Sequence, residues 1–484
     1  MLLPPPIDRR FSILTGGYGY RLIERVWSEV ERRTNFELHH VPDPSLFRSN
    51  EPAQPRFDSS RLLYLFDAPQ KNLPQADIEF LTALEGSTGP TIHNVILGDA
   101  RLSQLPYADA LDYVSAAAHR FRQILLQVRP DVVLSGYDGY QSTLLMLVCR
   151  SLKIPWYALT YLPIPKGMMG FSPLNVCIGV RAFGPADSER IVLEAERTLD
   201  EFERRMLATY VPPSENSLSN ILCFLPLRLA NAVSNFKSVL NGTHDKYTRR
   251  SPMDSAEDYL RRRWNYITNK RLPMVAHPPQ QSYAFFGFHM QPEMGIDVWA
   301  PFYSNQLHVV ACIARALPPS HKLLVKLHRI DCDNWSTSQL RSLLDLPGVQ
   351  VVSPHADTYE FLRRASLVFS IQGTIALESA LLRKQVIAFG ETMYEVMPNV
   401  ARVINLIELP GLVRNKLRAP EPTRAEILAG LEALLAHFRS GLYNNWELNP
   451  TSTQLDDFCA HLVFLKAFLR PQRDDHPSHS NVDS

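Results

Sequence analysis

The chain has 484 residues, which is too long for one ordinary hydrophobic core, so two domains are expected. Hydrophobic residues make up 45% of the sequence and charged residues 20%, the composition of an ordinary soluble globular protein. Its 50 Lys and Arg residues nearly balance 49 Asp and Glu residues, so the overall charge argues against a nucleic-acid-binding protein.

Cysteine usage and apolar segments predict a cytoplasmic protein. The six cysteines are scattered singly, without the paired spacing of a zinc site, and the N-terminus lacks the basic segment and apolar core of a secretion signal. No uninterrupted apolar window reaches the roughly 18 residues of a spanning helix. The apolar but interrupted segment from Leu218 to Leu240 is interpreted as an interdomain or core helix, with peripheral contact at the inner membrane as the lesser alternative.

The first third of the chain alternates between strand-like and helix-like patterns. It begins with a strand at 11–15, a glycine turn at 16–19 and a helix at 20–33. This alternation predicts a parallel sheet covered by helices on both faces. The further predicted strands are Leu62 to Phe66, His93 to Leu97, Asp131 to Ser135 and Trp156 to Leu159, with helices at Ala108 to Val128 and Tyr140 to Ser151.

The middle of the chain is predicted to be a helical region between two domains. A long helix rich in Glu, Arg and Leu is predicted from Ala186 to Tyr210, and a polar stretch with Pro and Ser follows it. The basic clusters Arg249-Arg250 and Arg261-Arg262-Arg263 are interpreted as a solvated helix face. The interdomain region is therefore placed at 211–280.

A second alternation of strands and helices follows and predicts a second Rossmann-like domain. The fold class is thus α/β, with two Rossmann-like domains facing a cleft. The strands are predicted at Ser282 to Phe286, Leu323 to Leu327, Val349 to Val352, Leu367 to Ser370 and Gln385 to Phe389, and the helices at Ser304 to Leu317, Ser336 to Leu344, Thr358 to Ala365, Thr374 to Leu382, Arg424 to Arg439 and Thr453 to Leu469. The predicted domains are 1–210, 211–280, 281–450, a closing helix at 451–470 and a polar, disordered tail at 471–484.

Four polar clusters in the second half come where predicted strands end. They are Gln291-Pro292-Glu293, Lys326-Leu327-His328-Arg329, the turn Ser370-Ile371-Gln372-Gly373-Thr374, and Phe389-Gly390 followed by Tyr394. Because carboxyl ends of parallel strands share one sheet edge, the clusters are expected to lie together. Cations, one acid and a turn with free backbone amides suit a nucleotide-activated sugar.

The order of these clusters resembles bacterial capsule and surface polysaccharide biosynthesis glycosyltransferases. These include the Kdo-transferring enzymes of capsule export and, more distantly, the CMP-sugar-using sialyltransferases of the GT-B class. The similarity covers Ser282 to Tyr394, whereas the first half matches only as a Rossmann-like acceptor domain. The resemblance implies a GT-B-like fold with acceptor binding in the first domain and donor binding in the second.

The resemblance also implies roles for individual residues. His328 stands where such enzymes have a His-Pro pair that contacts the nucleotide, although residue 329 is arginine here. Donor binding is predicted for Gln291, Lys326, His328, Arg329, Ser370, Gly373, Thr374 and Glu378, the last at a ribose hydroxyl. Catalytic roles are predicted for Asp138, Glu293 and His328, with either carboxylate as the base, and acceptor binding for Gly16, Gly17 and Tyr18.

Structural roles remain open alternatives for these residues. Thr374 and Asp138 can each cap a helix, Glu378 can interact with a helix dipole, and the segment 16–19 can be a plain tight turn. Glu293 can bond backbone amides of its own loop, and His328 can cap a strand end.

Several other catalytic patterns are missing from the sequence. It contains no Walker A sequence, no HExxH, no G-x-S-x-G and no G-x-G-x-x-G. Asp331-Cys332-Asp333 has the D-x-D spacing but stands in a poor context for a metal-bound nucleotide sugar. Transfer is therefore predicted to be metal-independent, with no cofactor besides the nucleotide-sugar co-substrate.

The function expected from these observations is sugar transfer from a nucleotide donor, with Kdo or a related acidic sugar on CMP as the candidate, to a capsule or surface glycan or glycolipid precursor. The expected partners are the donor, the acceptor and the inner membrane or polysaccharide export machinery. Two alternatives stay open: a nucleotide-sugar 2-epimerase, and a noncatalytic sugar-nucleotide-binding subunit of a polysaccharide assembly complex. The stereochemical outcome, inverting or retaining, is also open.

Overall fold

The structure, a computed structural model, describes residues 10–18, 23–42, 59–66, 70, 72–136, 139–173, 179–205, 233, 236–237, 239–241, 245–247, 250–441 and 450–470. Its strands are β1 (Phe11–Tyr18), β2 (Phe36–Pro42), β3 (Val132–Ser135), β4 (Trp156–Tyr161), β5 (Met168–Ser172), β6 (Tyr283–Gly287), β7 (Lys322–Lys326), β8 (Val349–Val352), β9 (Leu367–Ser370), β10 (Val386–Ala388), β11 (Val400–Arg402) and β12 (Arg439–Ser440).

The helices of the described residues alternate with these strands. Many begin at a side chain that caps the first turn; Ser336 and Gln339, for example, form a capping box. The α-helices are Ser28–Arg33, which continues a π-helix at Ile23–Trp27, Ile78–Leu84, Ile92–Leu97, Tyr107–Val128, Gly139–Ser151, Ser188–Arg205, Pro252–Asn269, Met294–Asp297, Gln306–Ala316, Thr337–Leu344, Thr358–Arg364, Ile375–Leu381, Leu409–Arg418, Arg424–Leu435 and Ser452–Leu469.

The first sheet has the order β12-β5-β4-β3-β1-β2. Strands β1 to β4 pair in parallel, whereas β5 and β12 are antiparallel to their neighbours. All four residues of β3 are buried, as expected for a central strand with helices on both faces. Strand order reverses between β1 and β3, so this is where the first sheet has its topological switch point.

The second sheet has the order β11-β10-β9-β6-β7-β8 and all of its pairings are parallel. This is the strand order of a Rossmann fold, with the switch point between β6 and β9. The predicted fold class, an α/β protein with two Rossmann-like domains, is confirmed. The switch point of the second sheet also lies between two of the strands that precede polar clusters.

Three expectations for the first domain are wrong. The run Ile92–Leu97 is a helix and not a strand, because Thr91 and Asn94 form a capping box at its first turn, and so short an apolar run has no decisive periodicity. Within Leu62 to Phe66, only Leu62 bridges to a strand, at His40. Residues 16–18 continue β1 through Tyr18 and do not form the predicted turn.

The two halves of the chain contact each other through described residues. The Asn94 side-chain amide donates to the Asp297 carbonyl at 3.3 Å. A Cβ on Gly98 would lie 2.4 Å from Val298, so the first domain packs closely against the segment that follows Glu293. Among the helices of the described residues, none is long and apolar enough to span a membrane.

The C-terminal segment returns to the first domain. Strand β12 pairs with β5, and the Ser452–Leu469 helix packs beneath the first sheet. Trp27 and Phe458 pack edge-to-face with ring centroids 5.4 Å apart. The two domains are thus tied together by the end of the chain as well as by its middle.

Candidate functional site

The candidate site lies at the carboxyl ends of β6, β7 and β9, next to the switch point of the second sheet. Residues 288–293 follow β6, residues 327–329 follow β7, and residues 371–374 follow β9. Neighbouring strands in this order open a crevice where their following loops separate, and doubly wound domains bind ligands there. Three of the four predicted clusters therefore meet at one place in the fold. The fourth adjoins them, because the Gly390 backbone N–H donates to the Ile371 carbonyl at 3.0 Å.

The turn after β9 is held by Ser370. Its buried hydroxyl accepts from the Gly373 backbone N–H at 3.1 Å. Thr374 is exposed, and its side chain makes no cap bond to the helix that begins at Ile375. The alternative in which the Thr374 side chain caps this helix is therefore not what the structure shows.

His289 is the site residue that the sequence interpretation missed. Its Nε2 accepts from the backbone N–H of Gln372 at 3.4 Å, so the other ring nitrogen, Nδ1, carries the proton. That Nδ1 lies 3.7 Å from a carboxylate oxygen of Glu293. The only available signal was its place two residues after a strand, the same rule that selected the other clusters.

Gly373 allows this contact, since a Cβ at residue 373 would lie 2.9 Å from the His289 ring. We expect Gly373→Ala to displace the ring or the turn and to weaken binding of the predicted nucleotide-sugar donor about tenfold. Titration calorimetry with the nucleotide sugar measures this. In Gly411→Ala, the added Cβ meets no atom within 4 Å, so this matched variant should bind as the wild type does. Equal donor affinities for the two variants would contradict the prediction that the donor binds at the Gly373 turn.

Glu293 stands at the start of a short helix, and the loop that carries it is fixed by buried amides. Gln306, only 1% exposed, accepts from the His289 backbone N–H at 2.8 Å and donates to the Gln291 side-chain oxygen at 2.9 Å. The Glu293 backbone N–H donates to Asp297 at 2.9 Å. The Glu293 carboxylate does not cap the helix and is partly exposed.

Gln291 is used within the same loop. Its side-chain nitrogen donates to Asp297 at 2.9 Å and to the Ser304 carbonyl at 2.8 Å. Burial raises the pKa of Asp297, which these hydrogen bonds partly offset. The structure thus gives the Gln291 amide a role in shaping the loop, and its predicted contact with the donor stays a prediction.

Burial and the charges of Glu293 and His289 in this loop affect the pKa of His328. Burial lowers the pKa of His328; the nearby carboxylate of Glu293 opposes the shift, while His289 and Lys326 add to it. Its Nδ1 is buried and has no hydrogen-bond partner among the described residues, and the same holds for Nε of Arg329. A neutral imidazole and a guanidinium with unused N–H groups can both donate to a phosphate.

Lys326 is the last residue of β7 and is 8% exposed. Its ammonium group donates to the Pro354 carbonyl at 3.1 Å. Burial lowers the pKa of Lys326 to about 8, and the nearby Arg329 contributes to the shift. The group is therefore still mainly charged at pH 7 but easily deprotonated above it.

Glu378 lies deeper than the other predicted donor contacts. It is 8% exposed and hydrogen-bonds the phenol of Tyr359, whose pKa is raised by burial and further by this carboxylate. Its contact with a ribose hydroxyl stays a prediction.

The D-x-D spacing at 331–333 has a structural role in the described part of the chain. Asp333 pairs with Arg262 at 2.6 Å. Asp331 accepts from the Asn334 amide and from the Gln291 backbone, while burial raises its pKa to about 6. Both carboxylates thus hold the loop after His328 in place.

Gly16, Gly17 and Tyr18 lie at the switch point of the first sheet. Gly16 and Gly17 are at the end of β1, where the Gly136 backbone N–H donates to the Gly16 carbonyl at 3.2 Å. Gly17 has φ +73°, which favours glycine, and a Cβ there would lie 2.9 Å from the Ser142 hydroxyl. Tyr18 ends the strand, and Asp138 lies outside the described residues. Acceptor binding at this edge stays a prediction.

Comparison with known proteins yields similar folds only. No protein-family model and no curated protein matches the chain. Similar solved structures include the UDP-GlcNAc 2-epimerase of Methanocaldococcus jannaschii (13% identity, 88% of this chain and 98% of that chain, TM-score 0.28), the KpsC beta Kdo 2,7 transferase of Thermosulfurimonas dismutans (13%, 72% and 89%, 0.33) and the UDP-N-acetylglucosamine 2-epimerase of Rickettsia bellii (11%, 96% and 99%, 0.33). At these values, neither activity is inferred for this chain from the comparison.

Proposed function

We propose that the protein is a glycosyltransferase that moves a sugar, with Kdo or a related acidic sugar on CMP as the candidate, onto a capsule or surface glycan or glycolipid precursor. One observation supports the proposal above the others. His289, Glu293, His328 and the Ser370 turn converge at the switch point of the second sheet. This arrangement joins a carboxylate, side chains that can donate hydrogen bonds to a phosphate, and a turn where a nucleotide sugar would bind.

The arrangement suits transfer to a hydroxyl group. The acceptor oxygen forms a bond to the anomeric carbon while the bond from that carbon to the donor phosphate breaks. The hydroxyl proton passes to a carboxylate, for which Glu293 and Asp138 are the candidates. Lys326, His328 and Arg329 stabilise the charge on the departing nucleotide phosphate, where charge accumulates in the transition state.

The test is nucleotide release by the purified chain from CMP-, UDP- and GDP-sugars, with and without a membrane glycolipid extract. Transfer predicts CMP release only when the extract is present. Turnover without an acceptor would instead favour a 2-epimerase, and donor binding without any turnover would favour a binding subunit. Either result would overturn the proposed function.

A further inference from the structure

The Pro252–Asn269 helix leaves a row of large apolar side chains uncovered. Leu260 is 66% exposed, Trp264 68% and Ile267 48%, and Met253, two turns earlier, is 80% exposed. Positions 253, 260, 264 and 267 fall on one side of a helix with 3.6 residues per turn. We call Leu260, Trp264 and Ile267 the apolar stripe.

The opposite face of this helix is fixed to the second domain. The Asn265 amide donates to the Asp333 carbonyl at 3.0 Å, and the Asn269 amide donates to the Trp335 carbonyl at 2.8 Å. Both asparagines are buried. These bonds set the rotation of the helix, so the stripe points outward because the other face is held.

The charges beside the stripe are mainly positive. From Leu260 to Arg271, the sequence contains five Lys or Arg residues and no Asp or Glu, although Arg262 lies on the held face and pairs with Asp333 at 2.6 Å. Arg263 and Lys270 lie 5.4 and 4.4 Å from the ring centroid of Tyr266, so an aromatic ring is placed between two cations. The acids of the helix precede this half. Asp258 pairs with Arg250 at 2.9 Å and with Arg261 at 2.5 Å, and Glu257 is exposed one turn before Leu260.

We infer that the apolar stripe and its flanking cations dock on an anionic lipid bilayer. Interfacial helices insert Trp and Leu into the headgroup boundary while Lys and Arg reach the phosphates on either side. A stable protein interface buries roughly 800 Å² on each partner and is depleted of lysine at its centre. This face is a single helical stripe with cations along it, which fits a bilayer better than a protein partner.

The docking surface is connected to the candidate site. The loop that holds the helix, residues 330–335, follows His328 and Arg329 directly, and Asp331 accepts from the Gln291 backbone. A bilayer held at the helix would place membrane-anchored acceptors beside this edge of the second domain. This consequence for transfer rests on the proposed function, whereas lipid binding does not.

The test is flotation of the purified full chain with vesicles of phosphatidylcholine alone or mixed with phosphatidylglycerol, in the absence of donor and acceptor. We expect about tenfold stronger partition onto the anionic vesicles, weakened by salt. The double variant Leu260→Glu/Trp264→Glu should lose at least about tenfold of this partition. Circular dichroism checks that the variant is folded.

The matched control is Val192→Glu/Leu193→Glu, which adds the same charge at exposed apolar residues of another helix. It should keep wild-type partition. Absence of vesicle binding, or equal losses in both variants, would overturn the inference. Self-association abolished by Leu260→Glu/Trp264→Glu, without vesicle binding, would assign the stripe to a second copy of the chain and would also overturn it.

Discussion

Glu293→Gln is expected to lower acceptor-dependent CMP release at least about hundredfold, with donor affinity changed less than about threefold. The carboxylate lies 3.7 Å from Nδ1 of His289 and is partly exposed, so it can reach a bound substrate. Glutamine keeps the shape of the side chain but can neither take a proton nor carry charge. Steady-state kinetics over a range of pH, with donor binding measured separately by calorimetry, distinguishes the two effects.

The matched control for this prediction is Glu421→Gln. This variant removes an exposed carboxylate that pairs with Lys384 and belongs to none of the predicted clusters. It should leave turnover unchanged. Should Glu293→Gln retain more than about a tenth of wild-type turnover with the same pH profile, Glu293 would have no part in the chemical step.

Lys326→Met is expected to weaken donor binding about tenfold to a hundredfold at pH 7 and to remove its pH dependence. With a pKa of about 8 in the free protein, Lys326 is charged at pH 7 and progressively neutral at higher pH. Because a phosphate at Lys326 would bind the charged form, wild-type affinity should fall above pH 8 by up to about tenfold per pH unit. Calorimetric titrations between pH 7 and pH 9.5, about the range over which the group deprotonates, measure both effects.

Lys322 provides the control, since it begins the same strand at the opposite end of the sheet. Lys322→Met should bind the donor with wild-type affinity and wild-type pH dependence. If the wild type bound equally well at all of these pH values, Lys326 would not contact the phosphate.

The second domain was predictable because its local signals agree. Its strands are short apolar runs, its helices begin at capping residues such as Ser336, and its polar clusters come at strand ends. The order of those strands in the sheet cannot be predicted from any one segment of the sequence. It is nevertheless this order that places the turn after β9 beside the loop after β6.

The parts that escaped prediction depend on distant partners. Gln291 was predicted to contact the donor, and the hydrogen bond that its side-chain oxygen accepts from Gln306, fifteen positions later, has no signal in its own segment. Glu378 was predicted to contact a ribose hydroxyl, and its hydrogen bond with Tyr359 from another helix likewise has no signal in its own segment. His289 belongs to the site because Gln372 and Gly373, which are distant in the sequence, contact its ring.

Amide hydrogen–deuterium exchange with and without CMP tests most directly whether the nucleotide binds at the switch point of the second sheet. We predict that CMP slows exchange in peptides covering 287–294, 326–330 and 370–376, and that Lys326→Met reduces this protection. Protection confined to the first domain, or none at a CMP concentration that saturates binding, would contradict the assignment of the site.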